Sequence, residues 1–139
     1  MIIYFDSSAI MRLILGDPGR IHPDWKLFRA RVSSELAEVE CLRTIDRLRL
    51  KDCLSEAEIA IRKKELHQWL EGLDRIKLSP AVLRRASEPF PVSLGTLDAI
   101  HLATALLWQE ERQTDLTMAT HDQALARAAK AFGMETIGS

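Results

Sequence analysis

The sequence predicts an α/β fold, with helices packed around a mainly parallel sheet, and three observations predict it. Short β-branched or aromatic runs alternate with helix-length segments along the whole chain. Acidic residues stand where two of those runs give way to helices, Asp6 after "MIIYF" and Asp122 after "LTMAT". The stretch "LGTLDAIHLATALLW", Leu94 to Trp108, is apolar all round its helical wheel and therefore reads as a buried helix.

Each element follows from local chemistry. "MIIYF" is a fully buried strand of the kind found in the middle of parallel sheets. Asp6 opens a helix that runs to about Leu15, and "GDPGRIHPD", residues 16–24, is too rich in Pro and Gly to be anything but a surface loop. After "WKLFRAR", the serines of "VSSELAEVECLRTIDRLRL" are placed to cap a long helix ending before Lys51. Ser55, with Glu58 three residues on, is a capping box for a helix that stops near Gly72. "DRIKLSP" is a short strand leading into a helix that ends before Pro89, and "EPFPVSLGT" turns the chain into the buried helix, with Ser93 or Thr96 available as its cap. "TDLTMATHD" gives a strand ending at Thr120, Asp122 caps a last helix that stops at Gly133, and "METIGS" supplies an edge strand.

With 139 residues, 47% of them hydrophobic and 28% charged, the chain is most simply one domain, 1–139, neither disordered nor fibrous. A net charge of −1 and a pI near 6.4 exclude a protein that holds nucleic acid by bulk electrostatics, so any such contact must be local or metal-assisted. Cys41 and Cys53 belong to no zinc-like cluster and read as reduced, buried thiols, and Trp25, Trp69 and Trp108 as core or interface residues. The opening lacks a basic leader and no apolar run is long enough to span a bilayer, so a soluble cytoplasmic protein without membrane attachment is expected.

In a parallel sheet, ligands gather beyond the carboxyl ends of the strands, where the following helices begin. Asp6, Asp98 and Asp122 all belong at that edge. Taken singly, Asp6 and Asp122 also read as helix caps, whereas Asp98 has only apolar neighbours and needs another reason to exist. Glu40 shares a helical face with Leu36, Arg43 and Arg47, opposite Ala37, Cys41, Ile45 and Leu48; alone it reads as half of a solvated Glu–Arg pair. Together the four carboxylates would repel one another, and a hard divalent cation, Mg²⁺ or Mn²⁺, resolves the repulsion with oxygen ligands. Such a centre suits phosphodiester cleavage, and Arg43 and Arg47 are placed to touch phosphates.

These motifs resemble the PIN-domain family, in particular the VapC-type toxins of bacterial and archaeal toxin–antitoxin systems. "IIYFDSSAIMRLIL" resembles the family's opening strand with its first Asp and following Ser, "SSELAEVECLR" its Glu-bearing helix, "GTLDAIHLATAL" its most distinctive block, and "MATHDQALARAAKAFG" its last acidic block. The resemblance implies a three-layer α/β/α fold with metal ligands at Asp6, Glu40, Asp98 and Asp122, and with Ser7 and Thr120 as supporting polar groups. Glu40 is preferred to Glu35 and Glu38 by its interval from the serine pair, and Asp122 to Asp115. Further implied are Mg²⁺- or Mn²⁺-dependent cleavage of RNA, tRNA or ribosomal RNA among the targets, a homodimer, and a VapB-like antitoxin whose C-terminal tail blocks the site. His101, one turn beyond Asp98, reads as a satisfied core histidine with contact to the site as the alternative; no role is assigned to His121.

Other chemistries fit less well. A haloacid-dehalogenase-like phosphatase needs a second Asp two residues after the first, where this chain has Ser8, and "GDPG" lacks the Lys-Ser/Thr of a phosphate-binding loop. The alternative of a different class is a catalytically silent PIN-like module that binds protein or RNA.

Overall fold

The computed structural model describes residues 2–16 and 30–139. Most of the expected loop and all of "WKLFR", with Trp25, lie outside the described residues. "MIIYF" gives strand β1 (Ile2–Phe5), buried throughout. Its alternating side chains enter opposite layers, Ile3 and Phe5 in one apolar cluster, Ile2 and Tyr4 in the other. Asp6 caps α1 (Ser7–Ile14) by accepting a hydrogen bond from the Ala9 amide.

The serine pair departs from expectation. Ser33 and Ser34 end a strand, β2 (Ala30–Ser34), and the helix, α2 (Leu36–Leu50), begins after them. Two serines survive in a central strand because both hydroxyls are satisfied: Ser33 donates to the Phe5 carbonyl at 2.6 Å and Ser34 accepts from the Leu36 amide at 3.1 Å. Ser34 therefore still serves the helix start, from inside the sheet.

The Ser55–Glu58 capping box forms in both directions at the start of α3 (Glu56–Glu71), which closes at Gly72. Ser55→Ala is expected to lower stability by about 1 kcal/mol, read as a shifted urea midpoint with an unchanged slope. After β3 (Asp74–Ile76), α4 (Pro80–Ala86) starts from Ser79 with Pro80 in its first turn. The buried helix is α5 (Thr96–Arg112); its N-cap is Gly95, without a side-chain cap, so neither Ser93 nor Thr96 plays that part. β4 (Leu116–Ala119), α6 (Gln123–Ala131) capped by Asp122, and β5 (Glu135–Ile137) complete the order.

The strands run β3-β2-β1-β4-β5 and every neighbouring pair is parallel. Helices α1, α2 and α3 bury their apolar faces against Ile3 and Phe5; α5 and α6 pack against Ile2, Tyr4 and Met118. The result is the expected α/β/α arrangement of three layers. Cys41 is buried under α1, but Cys53 is exposed, contrary to the sequence reading, because it falls just past the end of α2. Trp69 packs edge-on against Phe5 at 4.9 Å, and Trp108 is buried with Arg112 over its ring. Among the described residues no helix is long and apolar enough to cross a membrane.

Strand order reverses at β1: β2 follows on one side, and the chain returns on the other as β4. Such a switch opens a crevice beyond the carboxyl ends of the two central strands. Asp6 and Thr120 stand there.

Candidate active site

Phe5 pairs with Ala119 across the β1–β4 ladder, which sets the two strand ends level. Asp6 is 3% exposed, and its carboxylate accepts from the Thr120 hydroxyl, the Ser8 hydroxyl at 2.7 Å and the Ala9 amide at 2.9 Å. Burial pushes the Asp6 carboxyl above its ordinary range; His101 and these three donors oppose the shift. Thr120 also accepts from the Asp122 amide at 3.0 Å, so one hydroxyl ties two candidate acids together.

Ser8, rather than Ser7, is the serine in contact with Asp6, and it further accepts from the His121 amide at 2.9 Å. A cap carboxylate folds back over the second and third helical positions, and Ser8 holds the second, a signal that the spacing from Asp6 carries in the sequence itself. Ser7 instead lines a neighbouring groove with Glu40.

Asp122 caps α6 through Oδ1, which accepts from the Leu125 amide at 2.8 Å. Asp98, in the first turn of α5, is half-buried and makes no hydrogen bond or ion pair among the described residues. Desolvation first, then the charges of Asp122, Asp6 and Glu40, push its carboxyl up to about 6, with His101 opposing. The other three acids named from sequence thus lie within electrostatic reach of Asp98.

Glu40 arrives from α2, where Ala37, Cys41 and Ile45 anchor the opposite face in the core. Its partner is not Arg43. His101, 1% exposed on α5, brings Nε2 within 2.5 Å of Glu40 Oε1. The histidine is a satisfied core residue, as expected, and also reaches the site; the two readings were not exclusive. Arg43 pairs with Asp46 at 3.1 Å and Arg47 donates to Thr44 at 2.9 Å. Both line a groove of about 290 Å³ with Ser7, Leu36, Glu40 and Leu97. A larger hollow, about 550 Å³, lies between α4 and the start of α5, with Leu83, Phe90, Val92 and Ile100 along it, and offers no comparable chemistry.

The rival acids are engaged elsewhere. Glu35 accepts from the Leu78 amide at 2.7 Å, Glu38 pairs with Arg75 at 3.1 Å, and Asp115 precedes β4 at the opposite end of the strand. Burial, with Glu40 and Asp6 adding to it, pushes the Cys41 thiol well above its ordinary range, so it is no nucleophile.

Among the described residues, no three His, Cys, Asp or Glu side chains stand as a ready-made set of metal ligands. The donor set nevertheless fits a hard divalent cation. All four acids offer oxygen, Mg²⁺ takes only one or two carboxylates and keeps several waters, and the Asp98 carboxylate, without a hydrogen-bond or ion-pair partner among the described residues, is open to a cation.

A PIN domain model matches residues 3–131. The chain is 36% identical over 138 residues to "Ribonuclease VapC46" of Mycobacterium tuberculosis (strain ATCC 25618 / H37Rv), covering 97% of this chain and 95% of that protein. It is 28% identical over 134 residues to "Ribonuclease VapC47" of Mycobacterium tuberculosis (strain CDC 1551 / Oshkosh), covering 96% and 94%.

Proposed function

Because the chain belongs to the PIN-domain family, we propose that its acidic crevice is the active centre of an endoribonuclease, the toxin of a VapBC-type pair, working with Mg²⁺ or Mn²⁺. The observation that carries the reading is the buried Asp6 carboxylate at the β1–β4 switch point, joined to Asp122 through the Thr120 hydroxyl. Asp6, Glu40, Asp98 and Asp122 hold the cation. When bound, it supplies Lewis-acid stabilisation of the negative charge that develops on the phosphodiester.

The chain's own groups do the rest. Thr120 and Ser8 brace Asp6, and His101 braces Glu40. Arg43 and Arg47, on the groove that runs from Glu40, contact the RNA backbone and give a protein of net charge −1 the local positive surface that a polyanion requires. Residues 1–139 act as a single PIN domain, as a homodimer in the cytoplasm, on tRNA or ribosomal RNA, and a VapB-like antitoxin restrains it.

The test is incubation of the purified protein with total cellular RNA in Mn²⁺, in Mg²⁺ and in EDTA. Discrete fragments that vanish with EDTA are expected. Intact RNA under all three conditions would instead favour a catalytically silent binding module.

A further inference from the structure

Behind the crevice runs a buried line of contacts, Tyr4 to His101 to Glu40, that joins the middle of the sheet to one candidate ligand. Tyr4 is fully buried on β1, and its hydroxyl lies 2.7 Å from His101 Nδ1, with the two rings edge-on at 77°. On the far side of the imidazole, Nε2 meets Glu40 Oε1 at 2.5 Å. We infer that His101 is a positioning residue, holding the Glu40 carboxylate through Nε2 while Tyr4 fixes the ring through Nδ1. The inference rests on the reading of Glu40 as a metal ligand.

The direction of each bond follows from the chemistry of the groups. A carboxylate only accepts, so Nε2 carries the proton that Glu40 receives. In the neutral ring, Nδ1 is then an acceptor, and the Tyr4 hydroxyl donates to it. Tyr4 is a dependable donor: burial, followed by the charge of Asp6, raises its phenol well above the ordinary value. Among the described residues, Glu40 Oε2 has no such partner, so the arrangement fixes one oxygen and leaves the other for a ligand.

A purely packing role does not account for this residue. His101 sits among Leu102, Ala103, Ala105 and Leu106, all buried, where an apolar side chain would need no partners. Both ring nitrogens are instead spent on side chains from two other elements, 97 and 61 residues away in sequence. Fixing a flexible glutamate before a cation arrives lowers the ordering cost of binding, and partners of this kind commonly matter 10–100-fold in metal affinity, as an order of magnitude.

The experiment compares His101→Asn with His101→Gln. The Asn amide falls where Nδ1 stood and misses Glu40; the Gln amide reaches the place of Nε2 and still donates. Mn²⁺ affinity, read by electron paramagnetic resonance on protein with a cooperative melt, is expected to fall about 10–100-fold in the Asn variant and to be largely restored in the Gln variant. Tyr4→Phe, a milder change that serves if His101→Asn does not fold, is expected to weaken Mn²⁺ severalfold. Without metal, the far-downfield Nε2 proton of His101 should move upfield in Glu40→Gln. Two results overturn the inference: Asn and Gln variants that bind Mn²⁺ alike, or a proton resonance indifferent to Glu40→Gln. A wild-type protein that binds no Mn²⁺ overturns the metal reading of the site instead, and the resonance alone then decides for or against His101.

Discussion

Asp98→Asn is expected to abolish metal-dependent RNA cleavage while raising the metal-free thermal midpoint. Asp98 has no hydrogen-bond or ion-pair partner among the described residues, and its carboxyl sits at about 6 against an ordinary 3.8. A carboxyl raised in the folded state binds its proton more tightly there than in the unfolded chain. Stability therefore declines as pH rises from about 4 to about 6 and stays reduced above that window. Asparagine removes the charge and with it the decline. Because the group is half exposed, solvent screening leaves a gain of about 1 kcal/mol above pH 6 and almost none below pH 4. Losing an oxygen ligand should slow cleavage by about 100-fold or more, since even partners behind a ligand are worth 10–100-fold. Melting curves from pH 4 to 8 beside RNA cleavage in Mn²⁺ check both halves. A variant that melts lower than wild type at pH 7, or that still cuts in Mn²⁺, contradicts the account.

Asp6→Ala should be equally inactive but with the opposite effect on stability. This carboxylate caps α1 and accepts from two hydroxyls and an amide, all at a buried position. Alanine strands the fully buried Thr120 hydroxyl away from water and leaves the partly buried Ser8 hydroxyl and the Ala9 amide without their acceptor. The lost cap costs about 1 kcal/mol and the stranded Thr120 hydroxyl about 1–3, offset in part by relief of the carboxylate's own burial, so a net loss of about 1–3 kcal/mol is expected. Urea unfolding measures it directly. Two acids of one site thus part company: Asp6 is held by its neighbours, and Asp98 is tolerated by them. Equal shifts of the same sign in the two variants would show that this distinction between their surroundings is wrong.

What the sequence made legible was whatever depends on near neighbours. Asp6, Ser55 and Asp122 are caps recognisable within four residues, and all three cap as read. Asp98 was conspicuous because a charge in "LGTLDAIHLATALLW" demands a reason. What stayed hidden depends on distant partners. β2 was missed because "ARVSS" has the look of a helix approach until Ser33 is seen bonded to Phe5, 28 residues away. Glu40 read as one of a surface pair with Arg43, since nothing local announces a histidine 61 residues later. Ser8 is the instructive case: its contact with Asp6 is local, yet the resemblance to the family points to Ser7, the position next to Asp.

The pairing of β1 with β4 also dictates when the crevice can exist. Asp6 is translated near the beginning of the chain, but the Thr120 hydroxyl that steadies it lies 114 residues later. At about 5–20 residues per second that interval lasts about 6–23 s. Throughout it, β1 has no β4 to pair with, and Asp98 and Asp122 are still unmade or unplaced. A growing chain therefore carries no assembled cleft until β4 and the residues that follow it have been made and paired.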